Sequence, residues 1–107
     1  MTTVTDLNQQ SRQEIVQGYA ARFVHSPNVT IAYWEVEAGA ELPEHSHPHE
    51  QLTNVMEGQF RLEIDGESFL LEPGYVVEIP PDVPHAGMAL TPCRLIDVFY
   101  PVREDYR

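Results

Sequence analysis

Hydrophobic and polar residues alternate with a period of two in short runs along most of the chain. In QFRLEID, Phe60, Leu62 and Ile64 occupy one set of alternate positions, while Arg61 and Glu63 occupy the other. A period of two is the side-chain repeat of a β-strand with one buried face. Comparable runs are NVTIAYWEVEA, QLTNVMEG, ESFLLE, YVVEIP and RLIDVFY. The pattern predicts a series of β-strands with little helix.

Proline and glycine separate these runs. The chain has nine prolines and six glycines in 107 residues, and most segments between them are too short for a helix. Asp65-Gly66 lies between two predicted strands and favours a type I′ hairpin, because both central residues of that turn need positive φ. Many short strands with regular turns are typical of an all-β sandwich or small barrel. We therefore predict one domain: residues 1–27 form an N-terminal arm, loose over its first dozen residues, and a first strand, and residues 28–107 form an antiparallel β-barrel.

The acidic composition narrows the classes of partner. Seventeen Asp and Glu residues against six arginines, with no lysine, give a formal net charge of -11. Such a surface repels phosphate backbones and anionic lipid, so we expect neither a nucleic acid nor a membrane partner. Cys93 is the only cysteine, the N-terminus lacks a signal-peptide pattern, and no apolar run approaches about 20 residues. These features predict a cytoplasmic protein.

Three of the five histidines fall in one stretch, PEHSHPHEQ, at residues 43–51. In an extended segment His45, His47 and Gln51 share one face and can bind one ion if a neighbouring strand supplies a fourth ligand. His85, after a predicted strand and a proline-rich turn, is the downstream residue that fits this role. Imidazole and amide ligands suit zinc, nickel, iron or manganese. We predict one divalent transition metal ion, with His49 at the edge of the pocket and not a ligand; a solvated polar loop is the alternative.

Two spaced motifs resemble those of the cupin superfamily. Residues 39–58 follow the pattern G-x5-H-x-H-x3-Q-x6-G, and residues 74–85 begin with G-x5-P and end with a histidine. The resemblance implies a single-domain, RmlC-like jelly-roll barrel. It also implies that the four metal ligands are His45, His47, Gln51 and His85. Gln51 departs from the glutamate that cupins usually carry at this position.

A narrower resemblance concerns the end of the chain. The run HSHPHEQ, together with the tail LIDVFYPVRED, is similar to the KdgF group, small cupins of pectin and alginate breakdown that open 4,5-unsaturated uronate rings to linear keto sugars. This resemblance implies a catalytic role for Asp97 and Arg103 and substrate binding by Phe99 and Arg103. It implies a metal-dependent, non-redox enzyme. A metal-dependent dioxygenase and a non-catalytic cupin that binds a small ligand stay open as alternatives.

The neutral ligand set also bears on the expected substrate. Three neutral imidazoles and an amide leave the charge of a divalent ion uncompensated, so the centre attracts anionic oxygen. A small carboxylate such as a sugar acid is the expected partner. Arg103 would be a second anchor for its carboxylate.

The strand predicted at RLIDVFY is largely apolar on both faces. Asp97 falls on one face and Val98 on the other, and each is flanked on its own face by large apolar residues. Such a strand is expected to be covered by the barrel interior and by a second copy of the chain, which predicts a homodimer. Its interface should include part of the N-terminal third and the outer faces of strands near Trp34 or Val98. Trp34 is expected in the core or interface and not as a substrate platform. A carboxylate on the interior face indicates a polar cavity; an aspartate on an exposed edge strand is the alternative.

Overall fold

Ten antiparallel strands account for nearly all of the regular structure in the computed structural model, which describes residues 2–107. The strands are β1 (Gln13–Val16), β2 (Tyr19–His25), β3 (Thr30–Val36), β4 (Glu41–His45), β5 (Glu50–Glu57), β6 (Phe60–Ile64), β7 (Glu67–Leu71), β8 (Val76–Ile79), β9 (His85–Ala89) and β10 (Cys93–Tyr100). Two 3₁₀ turns, Leu7–Gln9 and Glu104–Tyr106, are the helical elements of the described chain. Within residues 2–107, no helix has the length and apolar character needed to cross a bilayer.

The strands form two sheets. The larger has the order β1-β2-β3-β10-β5-β8, and the smaller has the order β4-β9-β6-β7. Neighbours that are distant in sequence, such as β3 with β10 and β10 with β5, give jelly-roll connectivity. The predicted fold, an all-β jelly-roll barrel of antiparallel strands, is confirmed.

Alternate residues from both sheets meet in the space between them. On β2, β3 and β10 a less buried residue separates each pair of buried ones along most of the strand. On β6, Phe60 and Leu62 are buried, whereas Arg61 and Glu63 are exposed, as their alternation predicts. The buried hydrophobic residues form a single cluster, which makes burial of apolar surface the main stabilising contribution.

Backbone dihedral angles and close contacts explain which residues are found at two of the turns. Asp65 has φ 50° and Gly66 has φ 82°, the pair of positive angles that defines the predicted type I′ hairpin between β6 and β7. Gly58, between β5 and β6, has φ 87°. A Cβ atom there would overlap the carbonyl oxygen of Pro92 and lie 2.8 Å from Sγ of Cys93. Gly58 is thus required both by its dihedral angle and by the close approach of the loop before β10.

The segment before residue 28 supplies two strands, β1 and β2, to the larger sheet. β1 and β2 form a hairpin, and β2 pairs with β3 along its whole length. Residues 2–12 contain no strand, but Nε of Arg22 donates a hydrogen bond to the carbonyl oxygen of Gln10 at 3.2 Å. Arg12 pairs with Glu35 at 3.0 Å. These two contacts hold the end of the arm on the sheet.

The outward side of the larger sheet carries a group of apolar side chains, which we call the outer apolar face. Its members are Leu52, Met56, Val76, Ile96, Val98 and Tyr100. Ile96 and Val98 are half-buried, and the other four are exposed. Within residues 2–107 no further layer covers this face, so the inner side of β10 is enclosed and its outer side is accessible.

Candidate metal centre

Three histidines converge where β4 and β9 lie side by side. His45 ends β4 and His85 begins β9, and the two residues are paired in register. His47 lies in the connection between β4 and β5. One nitrogen atom from each ring lies within 4.8 Å of the others. The jelly-roll pairing thus brings together residues that are 40 positions apart in the chain.

Backbone carbonyl groups fix which nitrogen each histidine presents. Nδ1 of His45 lies 2.8 Å from the oxygen of Pro43, Nδ1 of His47 lies 3.0 Å from the oxygen of His49, and Nδ1 of His85 lies 2.9 Å from that of Val83. A carbonyl oxygen only accepts, so each Nδ1 must carry the proton. In the neutral ring Nε2 then keeps a free lone pair, which is the form that binds a metal.

Gln51 is oriented toward the same point. Its amide nitrogen donates to Oγ1 of Thr53 at 2.9 Å, which turns Oε1 toward Nε2 of His47 at 3.0 Å. The proton of neutral His47 is already on Nδ1, so Nε2 and Oε1 are two acceptors that face each other without a proton between them. A cation bound by both atoms would remove the repulsion between these two lone pairs.

Burial favours the neutral form of the His47 and His85 rings. It lowers the pKa of His85 to about 4, although the hydrogen bond to Val83 acts in the opposite direction. Burial also lowers the pKa of His47, and the positive charge of Arg103 adds to the effect. Nε2 of His85 is buried and has no hydrogen-bond partner among the described residues. The three histidines therefore fit a transition metal ion, and the side chain of Gln51 lies beside His47.

Asp97 lies next to this cluster because of the register of β10. Asp97 pairs with Thr53 of β5, and the following inward residue, Phe99, pairs with Gln51. Asp97 is buried, and burial raises the pKa of its carboxyl group to about 6, while the side chains of Thr53, Trp34 and Gln51 act in the opposite direction. The alternative of an exposed aspartate on an edge strand is excluded, since β10 lies between β3 and β5.

Phe99 and Arg103 lie beside the histidine cluster and line the same cavity. The ring of Phe99 lies 5.7 Å from that of His47, measured between centroids. The guanidinium carbon of Arg103 lies 4.7 Å from the centre of the Phe99 ring. Arg103 is buried, and its backbone N–H donates to Oγ1 of Thr30 at 2.8 Å. The tail after β10 thus returns an arginine to the interior.

One cavity contains all seven residues that the sequence singled out. They are His45, His47, Gln51, His85, Asp97, Phe99 and Arg103, and the same cavity is also lined by Tyr19, Trp34, Thr53 and Tyr106 among others. Trp34 is in the core as expected, but its Nε1 and Oδ1 of Asp97 are both buried without a hydrogen-bond partner in the described chain. Sequence reasoning missed Thr53, although it shares a strand face with Gln51. It also missed Tyr106, because no periodic pattern or motif points to that residue.

His49 supports the cluster through its backbone. Its carbonyl oxygen accepts the hydrogen bond from Nδ1 of His47, and its ring lies 5.5 Å from the His47 ring. Burial lowers the pKa of His49, and Arg103 adds to this effect. The ring of His49 is not part of the group of histidines whose nitrogen atoms converge. His49 therefore lies beside the cluster and outside it, and its position at the edge of the pocket stays a prediction.

Solved structures of other proteins share this fold. KdgF from Halomonas sp. is 27% identical, with a TM-score of 0.93 and complete coverage of both chains. An RmlC-like cupin from Shewanella frigidimarina is 29% identical, also with a TM-score of 0.93, over 100% of this chain and 97% of the other. Salicylate 1,2-dioxygenase from Pseudoaminobacter salicylatoxidans is 22% identical, with a TM-score of 0.78 over 81% of this chain and 26% of the other, which is a likeness of fold alone.

Sequence comparison agrees with the structural likeness. No curated protein sequence matches the chain significantly. The cupin domain family matches residues 32–99, which include the converging histidines, Asp97 and Phe99. The chain therefore belongs to the cupin family.

Proposed function

We propose that this cupin is a metal-dependent, non-redox enzyme that opens 4,5-unsaturated uronates to linear keto sugars. The observation that carries the proposal is the presence of Asp97, Phe99 and Arg103 in the same cavity as the histidine cluster. The similarity to KdgF over the full length of both chains supports it. The proposed substrate is a small sugar acid.

The reaction is an isomerisation, so no oxidant is needed. The anomeric hydroxyl loses its proton, the bond between C1 and the ring oxygen breaks, and C4 gains a proton as the enol becomes a ketone. A divalent ion at the histidine cluster would supply Lewis-acid polarisation of a substrate oxygen. The neutral amide of Gln51 leaves the positive charge of this centre intact for an anionic ligand.

In this proposal Asp97 moves the proton. Its carboxylate is buried in the cavity beside Thr53 and Gln51, and Oδ1 has no hydrogen-bond partner among the described residues. A buried acceptor without a partner is unfavourable unless a ligand satisfies it. The substrate hydroxyl supplies that partner in our proposal, and general acid–base transfer by Asp97 follows from the contact.

Arg103 and Phe99 bind the two sides of the sugar acid. Arg103 offers a buried guanidinium group, which forms its strongest hydrogen bonds with a carboxylate. Phe99 offers an apolar ring between His47 and Arg103. The carboxylate of the substrate thus lies toward Arg103, and an apolar face of its ring lies against Phe99.

A time course by proton NMR tests the proposal directly. The substrate is 4,5-unsaturated galacturonate generated by a lyase, and the spectra are recorded with and without the metal-loaded protein. The protein should accelerate the loss of the olefinic H4 signal and the appearance of linear keto product. An unchanged rate refutes the proposal. Oxygen uptake with another substrate would favour the dioxygenase alternative instead.

A further inference from the structure

The guanidinium group of Arg103 is held on three sides by neighbouring residues. Its Nε donates to Oδ1 of Asp105 at 3.0 Å, and its Nη2 donates to Oδ2 at 2.7 Å. Its carbon lies 4.2 Å from the centre of the Tyr106 ring and 4.7 Å from that of Phe99. The guanidinium group is therefore fixed by a bidentate ion pair along one edge and by two aromatic rings within cation–π distance.

We infer that Asp105 is a positioning residue, which fixes Arg103 so that its remaining guanidinium edge is ready for the carboxylate of the substrate. The identity of that ligand rests on the proposed function. Asp105 engages two of the three guanidinium nitrogens and leaves Nη1 outside the ion pair. An arginine that is already ordered loses less side-chain entropy when a ligand binds.

Arg103 and Asp105 differ in burial, and this difference indicates different roles for the two side chains. The Arg103 side chain is 9% exposed and lines the cavity, whereas the Asp105 side chain is 57% exposed and does not line it. Burial by itself lowers the pKa of Arg103, but the hydrogen bond with Asp105 raises it above its ordinary value. Asp105 therefore contacts Arg103 from the solvent side, where its carboxylate stays hydrated and does not occupy the substrate position.

Backbone hydrogen bonds in the tail hold Asp105 and Tyr106 close to the Arg103 side chain. The backbone N–H of Arg103 is tied to Thr30, and the N–H of Tyr106 donates to the carbonyl oxygen of Arg103 at 3.1 Å. The 3₁₀ turn thus sets Asp105 and Tyr106 at fixed positions around the Arg103 side chain. Glu104 in the same turn pairs instead with Arg107 at 3.6 Å, so it offers a control of equal charge.

The first measurement is the order of the Arg103 side chain in the metal-loaded protein. The ¹⁵N order parameter of its Nε–H, assigned with Arg103→Lys, should be about 0.8 in the wild type and in Glu104→Gln. In Asp105→Ala it should fall below about 0.6. A value that stays high in Asp105→Ala shows that Asp105 does not hold Arg103 and overturns the inference.

The second measurement is the kinetics of the same variants on unsaturated galacturonate. Asp105→Ala should raise KM about tenfold and change kcat less than about threefold, because the lost order affects binding in ground state and transition state alike. Asp105→Asn, which keeps one acceptor oxygen, should give an intermediate KM. Glu104→Gln should leave KM within about twofold of the wild type.

The two measurements separate the possible failures. Lost order with an unchanged KM would show that the order of Arg103 does not affect binding, and a lower KM would show that Asp105 competes with the substrate. Either result overturns the positioning role. Wild-type protein that is inert toward unsaturated uronates refutes the proposed function, and the order parameter then decides alone whether Asp105 fixes Arg103. A retained melting temperature in Asp105→Ala confirms that the exposed substitution leaves the fold intact.

Discussion

The backbone carbonyl groups of Pro43, His49 and Val83 determine which nitrogen of each nearby histidine is free. Each accepts a hydrogen bond from an Nδ1–H, so all three rings present Nε2 to the same point. The orientation is set by the folded backbone before any ion binds. A ligand set ordered in this way needs little rearrangement, which favours tight and geometrically defined binding.

We predict that His45→Ala and His85→Ala each remove most of the bound metal. Both rings contribute to the converging cluster, and loss of one neutral imidazole removes one of the proposed ligands. Elemental analysis of protein purified without chelator measures the effect, with near-stoichiometric metal expected for the wild type. His25→Ala is the control, because Nδ1 of His25 contacts Thr30 and not the cluster. Unchanged metal content in both cluster variants would show that the site is wrong.

We predict that Asp97→Asn lowers turnover of unsaturated uronate by about 10²- to 10⁴-fold, the usual worth of general acid–base catalysis. The amide keeps the shape of the buried carboxylate but does not accept and return a proton. Metal content should stay at the wild-type level, since Asp97 is outside the proposed ligand set. NMR turnover and elemental analysis on the same preparation give both values. A fully active variant would refute the role of Asp97 and leave the metal site unaffected.

At the residue scale, the sequence spacing identified the residues that converge, but the single extended segment assumed for three of them was wrong. β4 of the smaller sheet ends at His45, His47 lies in the connection, and Gln51 lies on β5 of the larger sheet. Their convergence therefore comes from the packing of the two sheets and not from the strand repeat. The ion pair of Arg103 with Asp105 could not be predicted from sequence spacing. It depends on a 3₁₀ turn and on the return of the tail to the cavity, and no periodic pattern encodes either feature.

The loop between β5 and β6 shows how an element boundary constrains one residue. Gly58 combines a positive φ with a close approach to Pro92 and Cys93, whereas Gly39 has φ 80° with no atom within 4 Å of a Cβ position. Both glycines belong to the same sequence motif. The difference between them is steric, because only Gly58 faces another chain segment.

We predict that Gly58→Ala destabilises the protein by about 2–5 kcal/mol, from backbone strain of about 1–2 kcal/mol together with overpacking of about 1–3 kcal/mol. Gly39→Ala carries the strain alone and should lose about 1–2 kcal/mol. Urea unfolding of the two variants and the wild type measures the free energies. Equal losses in the two variants would show that the contact with Pro92 is unimportant.

At the element scale, strong alternation predicted strands well and weak alternation did not. β3, β5, β6 and β10 were evident because β-branched and aromatic residues recur on one face. β4 contains Pro43, and β9 contains Gly87, whose Cα lies so close to Phe60 that a Cβ would be 2.5 Å from the ring. Both residues have low strand propensity, so tertiary packing and not local preference forms these strands.

At the scale of the whole molecule, the outer apolar face is the surface on which a partner is expected. Leu52, Met56, Val76 and Tyr100 are exposed on a sheet whose other side is the core. Contiguous exposed apolar side chains on a small protein are typical of an interface. A second copy of the chain is the partner that the sequence predicts.

We predict that the protein is a homodimer at micromolar concentration, with a mass twice the 12.2 kDa of one chain. Light scattering coupled to size exclusion measures the mass. Val98→Arg places a charge in the centre of the outer apolar face and should shift the protein toward monomer. Leu70→Arg, at an exposed position of the smaller sheet, is the matched control and should stay dimeric. A wild-type monomer would contradict this prediction.

The proposed ligands come from both sheets, and this distribution has a consequence for folding. His45 and His85 belong to strands of the smaller sheet and Gln51 to a strand of the larger one, so an ion at this point is a cross-link between the two layers. An ion that binds the native state and not the unfolded chain adds about 4 kcal/mol to the free energy of unfolding at a free concentration 1000-fold above Kd. For a domain of this size we expect the chelator-treated protein to melt roughly 15–30 °C lower than the loaded one. Calorimetry with and without chelator measures that shift, and equal melting temperatures would mean that the two layers hold together without the ion.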